Sequence, residues 1–207
     1  MTEKGGLRAR PYRIFTNEEL EKINQGVMWT LEEIGIEVNS KQAREILKEA
    51  GAKIEPDSKI IKFPRSMVED AIDEAPSQVI LYGRDPKHDL YLENSRAYFG
   101  TGGTVLYILD LETGEKRKTT VDDIANVGRL VDALDNIHFY LLPLYPNELS
   151  KDDVDINRFY AGLKNTQKHV MGGIYTMGGL HQVIEMASIV AGNEEKLRER
   201  PFISFIT

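Results

Sequence analysis

The chain of 207 residues contains no cysteine, which removes disulfides, thiolate nucleophiles and cysteine-ligated metals from within it. A cytoplasmic setting is compatible with that composition. No apolar run approaches the roughly 20 residues a helix needs to cross a bilayer, and Met1 to Pro11 carries Arg8 and Arg10 with no apolar segment after them, so it is neither an anchor nor a secretory signal. Basic residues are in deficit, 26 Lys and Arg against 33 Asp and Glu for a formal charge of -7, and an extended nucleic-acid footprint is not expected. The one tight basic cluster, Lys116-Arg117-Lys118, reads as a solvated hairpin edge. Histidine is scarce too. His88, His138, His169 and His181 show no metal-ligand spacing, so no metal is expected. Apolar residues make up 41% of the sequence, enough to enclose a core in one domain, or one domain and an extension.

Residues 1–97 read as an N-terminal extension of helices and small hairpins. Met1 to Pro11 is a polar arm that could pack against a partner subunit. Thr16 and Glu19 have capping-box spacing. Leu20, Ile23, Val27, Leu31 and Ile34 form an apolar stripe that Gly35 ends, with Trp29 off the stripe. Ser40 caps a shorter helix up to Gly51, Glu55-Pro56-Asp57-Ser58 turns a hairpin, and Pro64 starts a third helix. From Gln78 to Phe99 the texture is β, punctuated by Gly83, Asp85, Pro86 and Asn94.

Residues 98–207 alternate differently. Apolar runs begin at Tyr98, Ile137, His169 and Phe202, separated by amphipathic helices capped at Thr120, running from Val154 to Thr166, and running from Leu180 to Ala191. A hairpin around Leu111-Glu112-Thr113-Gly114 interrupts the first interval. This is the rhythm of a parallel β/α protein, either an open doubly wound sheet or part of a closed barrel. A complete barrel takes about 250 residues, so the chain is expected to be the N-terminal portion of a longer protein.

Ligands of such folds bind at the carboxyl ends of the strands. That rule places Tyr98, Gly102 and Gly103 after the first strand, Tyr145 and Asn147 after the second, and Gly172, Gly173 and Tyr175 after the third. The glycines would let a ligand approach or offer N–H groups to an anion, and the tyrosines could face a cation. His138 and His169 fall at the opposite ends and are assigned structural roles. Gly100 to Gly103 matches neither the phosphate-loop nor the dinucleotide fingerprint. No catalytic acid–base pair is evident. A barrel protein binding a phosphorylated metabolite, and an inactive assembly module, remain as alternatives.

The segments Leu81-Tyr82-Gly83-Arg84-Asp85-Pro86, Phe99-Gly100-Thr101-Gly102-Gly103, Leu109 to Glu115 and Val131 to Ile137, with Phe63-Pro64 and Ala75-Pro76, together resemble the trimethylamine methyltransferase family. The resemblance implies an eight-stranded β/α barrel behind an N-terminal helical extension, of which this chain would supply about four βα units. It implies methyl transfer from a methylated or quaternary amine, glycine betaine or trimethylamine, to cobalamin carried by a separate corrinoid protein, with no cofactor bound directly. Members specific for trimethylamine carry pyrrolysine in a region beyond Thr207. A homo-oligomer is expected. Glycine betaine would place its cation against Tyr98, Tyr145 and Tyr175 and its carboxylate against Asn147 or the glycines.

Overall fold

A computed structural model describes residues 6–8 and 12–206. Two compact units are present, one from Pro11 to Ser77 and one that joins the described arm residues to the chain from Gln78 onward. The arm contributes β1 (Leu7–Arg8).

The first unit begins with α1 (Asn17–Trp29), where Thr16 accepts from the Glu19 N–H and the Glu19 carboxylate accepts from the Thr16 N–H, the capping box expected from the sequence. A π-helical turn, Thr30–Ile34, follows and stops at Gly35, whose φ of 77° and contact with the Ile61 carbonyl both exclude a side chain. Then come β2 (Ile36–Glu37), α2 (Lys41–Glu49) under its Ser40 cap, β3 (Lys53–Ile54), β4 (Ile60–Lys62) and α3 (Arg65–Glu74). The strands form one antiparallel sheet in the order β2-β4-β3. Met28, Ala52 and Ile61 are the buried apolar residues of this unit. The stripe expected to be core is only half covered, Leu20, Ile23 and Val27 being 48, 49 and 50% exposed, because so small a unit encloses little. Trp29 is exposed as well.

The second unit opens with the antiparallel pair β5 (Gln78–Leu81) and β6 (Leu90–Glu93), then β7 (Arg96–Ala97), which pairs with β1 so that Leu7 faces Ala97. The arm, expected against a partner subunit, thus pairs with its own chain at these residues, and the rest of it lies outside the described residues. The inserted hairpin is β8 (Tyr107–Leu109) and β9 (Lys116–Lys118). Its exposed basic edge is tied to the following helix through Arg117. Arg117 forks onto Asp123 at 2.7 and 2.8 Å, and Asp123 in turn completes the capping box of α4 (Val121–Ala133) with Thr120.

After α4 come β10 (Phe139–Leu141), α5 (Lys151–Asn165), β11 (His169–Gly173), α6 (Met177–Ala191), α7 (Glu194–Glu199) and β12 (Ile203–Ile206). The last three long strands are parallel in sequence order, with Leu141 level with Met171 and Met171 with Ser204. The stretch before β8 runs parallel to β10 through bridges at Gly100 to Phe139 and Val105 to Leu144. Helices α4, α5 and α6 cover one face through Ile124, Val131, Phe159, Leu163, Val183 and Ala187, packed on Tyr140, Leu142 and Val170. Leu130, Leu134 and Tyr160, which stand at three- and four-residue spacing from apolar residues of α4 and α5, are exposed. The fold is mixed α/β, and among the described residues no sheet closes on itself.

A boundary at Ala97 does not match these units, because residues 78–97 are bonded into the second one. The Tyr82 carbonyl accepts from His169 Nδ1 at 2.9 Å. Arg84 Nη2 donates to the carbonyls of Leu163 and Thr166, at the end of α5. Asp89 takes Arg200 Nη2 at 2.9 Å on both oxygens, and Arg200 lies 4.5 Å from the Tyr82 ring centroid. The motif from Leu81 to Pro86 is therefore a set of ties across the amino ends of the parallel strands.

His169 sits among these ties, 1% exposed. A carbonyl can only accept, so Nδ1 carries the proton, and Nε2 accepts from the Ser204 hydroxyl at 2.8 Å. His138 Nδ1 accepts from the Phe99 N–H at 3.0 Å. Both imidazoles are structural, as their strand positions suggested. Burial holds both below the ordinary value of 6.5. The folded chain thus resists a proton that the unfolded chain takes up below about pH 6.5, so their stabilisation is complete above that pH and declines below it. The urea midpoint is expected to fall between about pH 7 and about pH 5, and less steeply in His169→Gln, whose amide can keep both hydrogen bonds. Equal slopes for the two proteins would contradict the assignment.

Candidate functional site

The carboxyl ends of the parallel strands meet at two charged residues of α5. Its inner face is apolar at Val154, Phe159 and Leu163, yet Asp155 and Arg158, one turn apart, lie on the same side and are fully buried.

Arg158 reaches three strands. Its Nε donates to the Leu144 carbonyl at 3.1 Å, Nη2 to the Leu142 carbonyl at 3.0 Å and to Thr104 Oγ1 at 3.1 Å, and Nη1 to the Gly173 carbonyl at 3.3 Å. Its guanidinium carbon stands 5.2 Å from the Tyr175 ring centroid. Burial lowers its pKa, opposed by Tyr175 and Asp155. Among the described residues it has no ion-pair partner.

Asp155 organises the next turn. Its oxygens accept from the Tyr175 N–H at 3.1 Å and the Thr176 N–H at 3.0 Å, where Thr176 is the N-cap of α6. Gly179 is required beneath it, since a Cβ there would collide with the Asp155 carboxylate. Tyr175 is thereby held edge-on to Tyr145, with centroids 5.4 Å apart at 86°. Tyr145 is fixed by its own backbone, its N–H donating to the Val105 carbonyl at 3.0 Å and its carbonyl accepting from Thr119 Oγ1 at 2.5 Å.

Of the residues expected at this site, Tyr145 and Tyr175 come together and the others have different positions or duties. Tyr98 stands at the amino end of the sheet, edge-on to His138 at 5.2 Å, and its hydroxyl accepts from the Tyr91 N–H at 3.1 Å. With Gly6, His88, Asp135 and His138 it lines a separate cavity of about 490 Å³. The reason is register. The two bridges to β10 keep one constant offset, so Tyr98 falls level with Ile137 and the parallel alignment reaches Val105, beyond the glycines. Gly102 and Gly103 lie in the irregular stretch between the two bridges, exposed, with nothing within 4 Å of where a side chain would begin.

Asn147 is committed elsewhere. Its Nδ2 donates to the carbonyls of Leu106 and Tyr145 at 2.9 and 3.0 Å and to Thr119 Oγ1 at 3.0 Å. No amide hydrogen remains for a substrate carboxylate, and the residue is a clip between the hairpin and the loop after β10. Gly172 gives room to Leu142 and Phe159, and Gly100 to Phe139, so these glycines serve close packing. Gly173 lends its carbonyl to Arg158. A ring of glycine N–H groups for a phosphate is not what this arrangement builds.

Sequence reasoning missed Arg158, and it read Asp155, with Asp152 and Asp153, as a carboxylate that complements the dipole of the helix. The available signal was two charges inside the apolar arc of a helix.

The comparisons with known proteins agree with the motif reading. The family model for trimethylamine methyltransferase (MTTB) matches residues 5–207. The chain belongs to the trimethylamine methyltransferase family. It is similar to the trimethylamine methyltransferase MttB of Desulfitobacterium hafniense strain DSM 10664 / DCB-2, 37% identical over 206 residues, covering 99% of this chain and 42% of that protein. It is also similar to the glycine betaine methyltransferase of D. hafniense strain Y51, at 29% over 195 residues, and to MttB of Methanosarcina thermophila, at 28% over 204 residues, covering 93% of this chain in each case and 40% and 41% of those proteins. The chain therefore spans about two-fifths of the length of these relatives. The Leu81 to Pro86 motif can now be read physically, as the ties that fasten the amino ends of the strands.

Proposed function

We propose that this family member takes part in moving a methyl group from a methylated or quaternary amine to the corrinoid of a separate protein. Its match to the family model across residues 5–207 carries that reading. Four consecutive parallel segments with helices on one face are, in this reading, the first half of a β/α barrel behind the N-terminal helical unit. Substrate would enter where Tyr145 and Tyr175 stand, at the carboxyl ends of the strands.

A quaternary ammonium already bears its activating charge. Attack on one of its methyls then needs orientation and removal of water more than acid catalysis, and the departing amine leaves neutral. A substrate surface of tyrosines and glycines without an acid–base pair suits such a step. The corrinoid supplies the nucleophile and is held by the partner protein. Among the described residues no helix is long and apolar enough to cross a membrane.

The test is a demethylation assay with the polypeptide as its cells make it, a reduced corrinoid protein from the same source, and trimethylamine or glycine betaine. Appearance of the methylcobalamin spectrum with either amine is the expected result. Its absence with both, while the corrinoid is demonstrably reduced, would reject the proposal.

A further inference from the structure

We infer that Asp155 is a positioning residue for the methyl transfer and acts through Tyr175, its carboxylate fixing the start of α6 so that the ring meets the substrate in one orientation. This rests on the reading of the strand ends as the substrate site and adds which residue sets their geometry.

A carboxylate taken out of water destabilises a protein unless its oxygens are satisfied. Asp155 is 0% exposed, and its bonds go to two consecutive residues, to the Tyr175 N–H at 3.1 Å from each oxygen, the Thr176 N–H at 3.0 Å and the Thr176 hydroxyl at 3.4 Å. Both residues lie in the link from β11 to α6. A side chain that only filled space under α5 would be apolar, as Val154, Phe159 and Leu163 are. Asp155 keeps its negative charge and Arg158, one turn along, offsets it. The couple therefore imposes an orientation on the wall rather than a net charge.

Tyr175 is gripped from two directions. Asp155 holds its backbone, while its ring lies 5.2 Å from the Arg158 guanidinium carbon and edge-on to Tyr145 at 5.4 Å. The residue is nonetheless 38% exposed, so a gripped ring is still presented at the open end of the strands. Gly179 points the same way. Glycine in the first turn of a helix is less stable than alanine, and here alanine is excluded because its Cβ would collide with the Asp155 carboxylate. Attack on a methyl group depends on alignment, and a misplacement of about 1 Å can cost about 100-fold in rate. A ring left free to turn keeps most of its contact area with substrate and loses the alignment. Loss of Asp155 should therefore show in kcat more than in KM.

The test uses the polypeptide as its cells make it, with the reduced corrinoid protein and the amine that the demethylation assay identifies. Asp155→Asn keeps the size of the side chain but sets an amide donor against a backbone N–H, so part of the hold on the turn is lost. It is expected to lower kcat about 10- to 100-fold with KM within about three-fold. Gly179→Ala displaces the carboxylate instead of altering it, and the same pattern is expected. In a Tyr175→Leu background the kcat loss from Asp155→Asn should shrink to under about two-fold while its effect on the urea midpoint persists, a split that a merely structural carboxylate would not give. With 3-fluorotyrosine in place of Tyr175, the single fluorine line of the otherwise wild-type protein should split or narrow in Asp155→Asn as the ring gains freedom. A kcat within about two-fold of wild type in both variants, equal losses in the two backgrounds, or an unchanged fluorine line would each overturn the inference. Wild-type protein without methyl transfer would remove the proposed reaction instead, and the fluorine line would then decide alone whether Asp155 sets the ring.

Discussion

Replacing Arg158 by methionine is expected to lower the unfolding free energy by about 3–5 kcal/mol, because buried backbone carbonyls lose their donor. The guanidinium bonds to Leu142, Leu144, Gly173 and Thr104 at 3.0–3.3 Å while fully buried. Methionine fills much of the volume and supplies no donor. Three backbone carbonyls are then left without their partner in a dry interior, each worth roughly 1–3 kcal/mol when unsatisfied. Exchanging buried charges for apolar side chains can stabilise a protein when both members of a pair are replaced. Here the acceptors are main chain and cannot be replaced. Lysine should rescue little, because a single ammonium cannot span three strands as the planar fork does. Urea unfolding of the wild type, Arg158→Met and Arg158→Lys checks this. A midpoint unchanged in Arg158→Met would mean that the carbonyls find other donors and that Arg158 does not clamp the strands. Because Tyr175 packs on the guanidinium, the near-ultraviolet circular dichroism of the tyrosines should change in the same variant.

The parts of this fold that were legible in the sequence are those set by neighbours a few residues apart. Thr16 with Glu19 and Thr120 with Asp123 are capping boxes in the structure, and Ser40 caps its helix through the Ala43 N–H. Helices α4 to α6 and strand β12 follow from three- and four-residue spacing and a short apolar run. What was not legible depends on registration between distant segments. Tyr98 to Gly103 reads as one strand end with its glycines, but only the bridge from Val105 to Leu144 shows that the pairing with β10 resumes beyond them. Gly100 and Gly172 signal a close approach, and the sequence does not say whether a ligand or a phenylalanine makes it. The unit boundary moved for the same reason, since Arg84 is tied to Thr166 and Asp89 to Arg200 by bonds that no local pattern announces. Helix α7 is too short for periodicity to reveal. At the site, the tyrosines were found by strand-end position, whereas Arg158 and Asp155 show in the sequence only as charges inside the apolar arc of a helix, which does not say what they bond.

Lys168 poses the complementary case, a buried cation whose entire hydrogen-bonding capacity is spent at a helix end. It is 2% exposed, and its Nζ donates to the carbonyls of Val131, Leu134 and Ile137 at 2.6, 2.7 and 2.7 Å. An ammonium has three hydrogens, and each finds one carbonyl. Val131 lies in the last turn of α4 and Leu134 is its C-cap, where carbonyls lack partners within the helix and the dipole is negative. Ile137 leads into β10, and Lys168 itself precedes β11. One side chain thus fastens the end of a helix to the start of two adjacent parallel strands. Lys168→Met is expected to cost about 2–4 kcal/mol, less than Arg158→Met because the frayed end of α4 can open to water more readily than the strand ends beneath Tyr175. The loss should also be local. Amide hydrogen exchange in the last turn of α4 should accelerate more than exchange in the centre of α5. Uniform acceleration across both helices would show that Lys168 contributes to global stability alone and that the end of α4 has another cap.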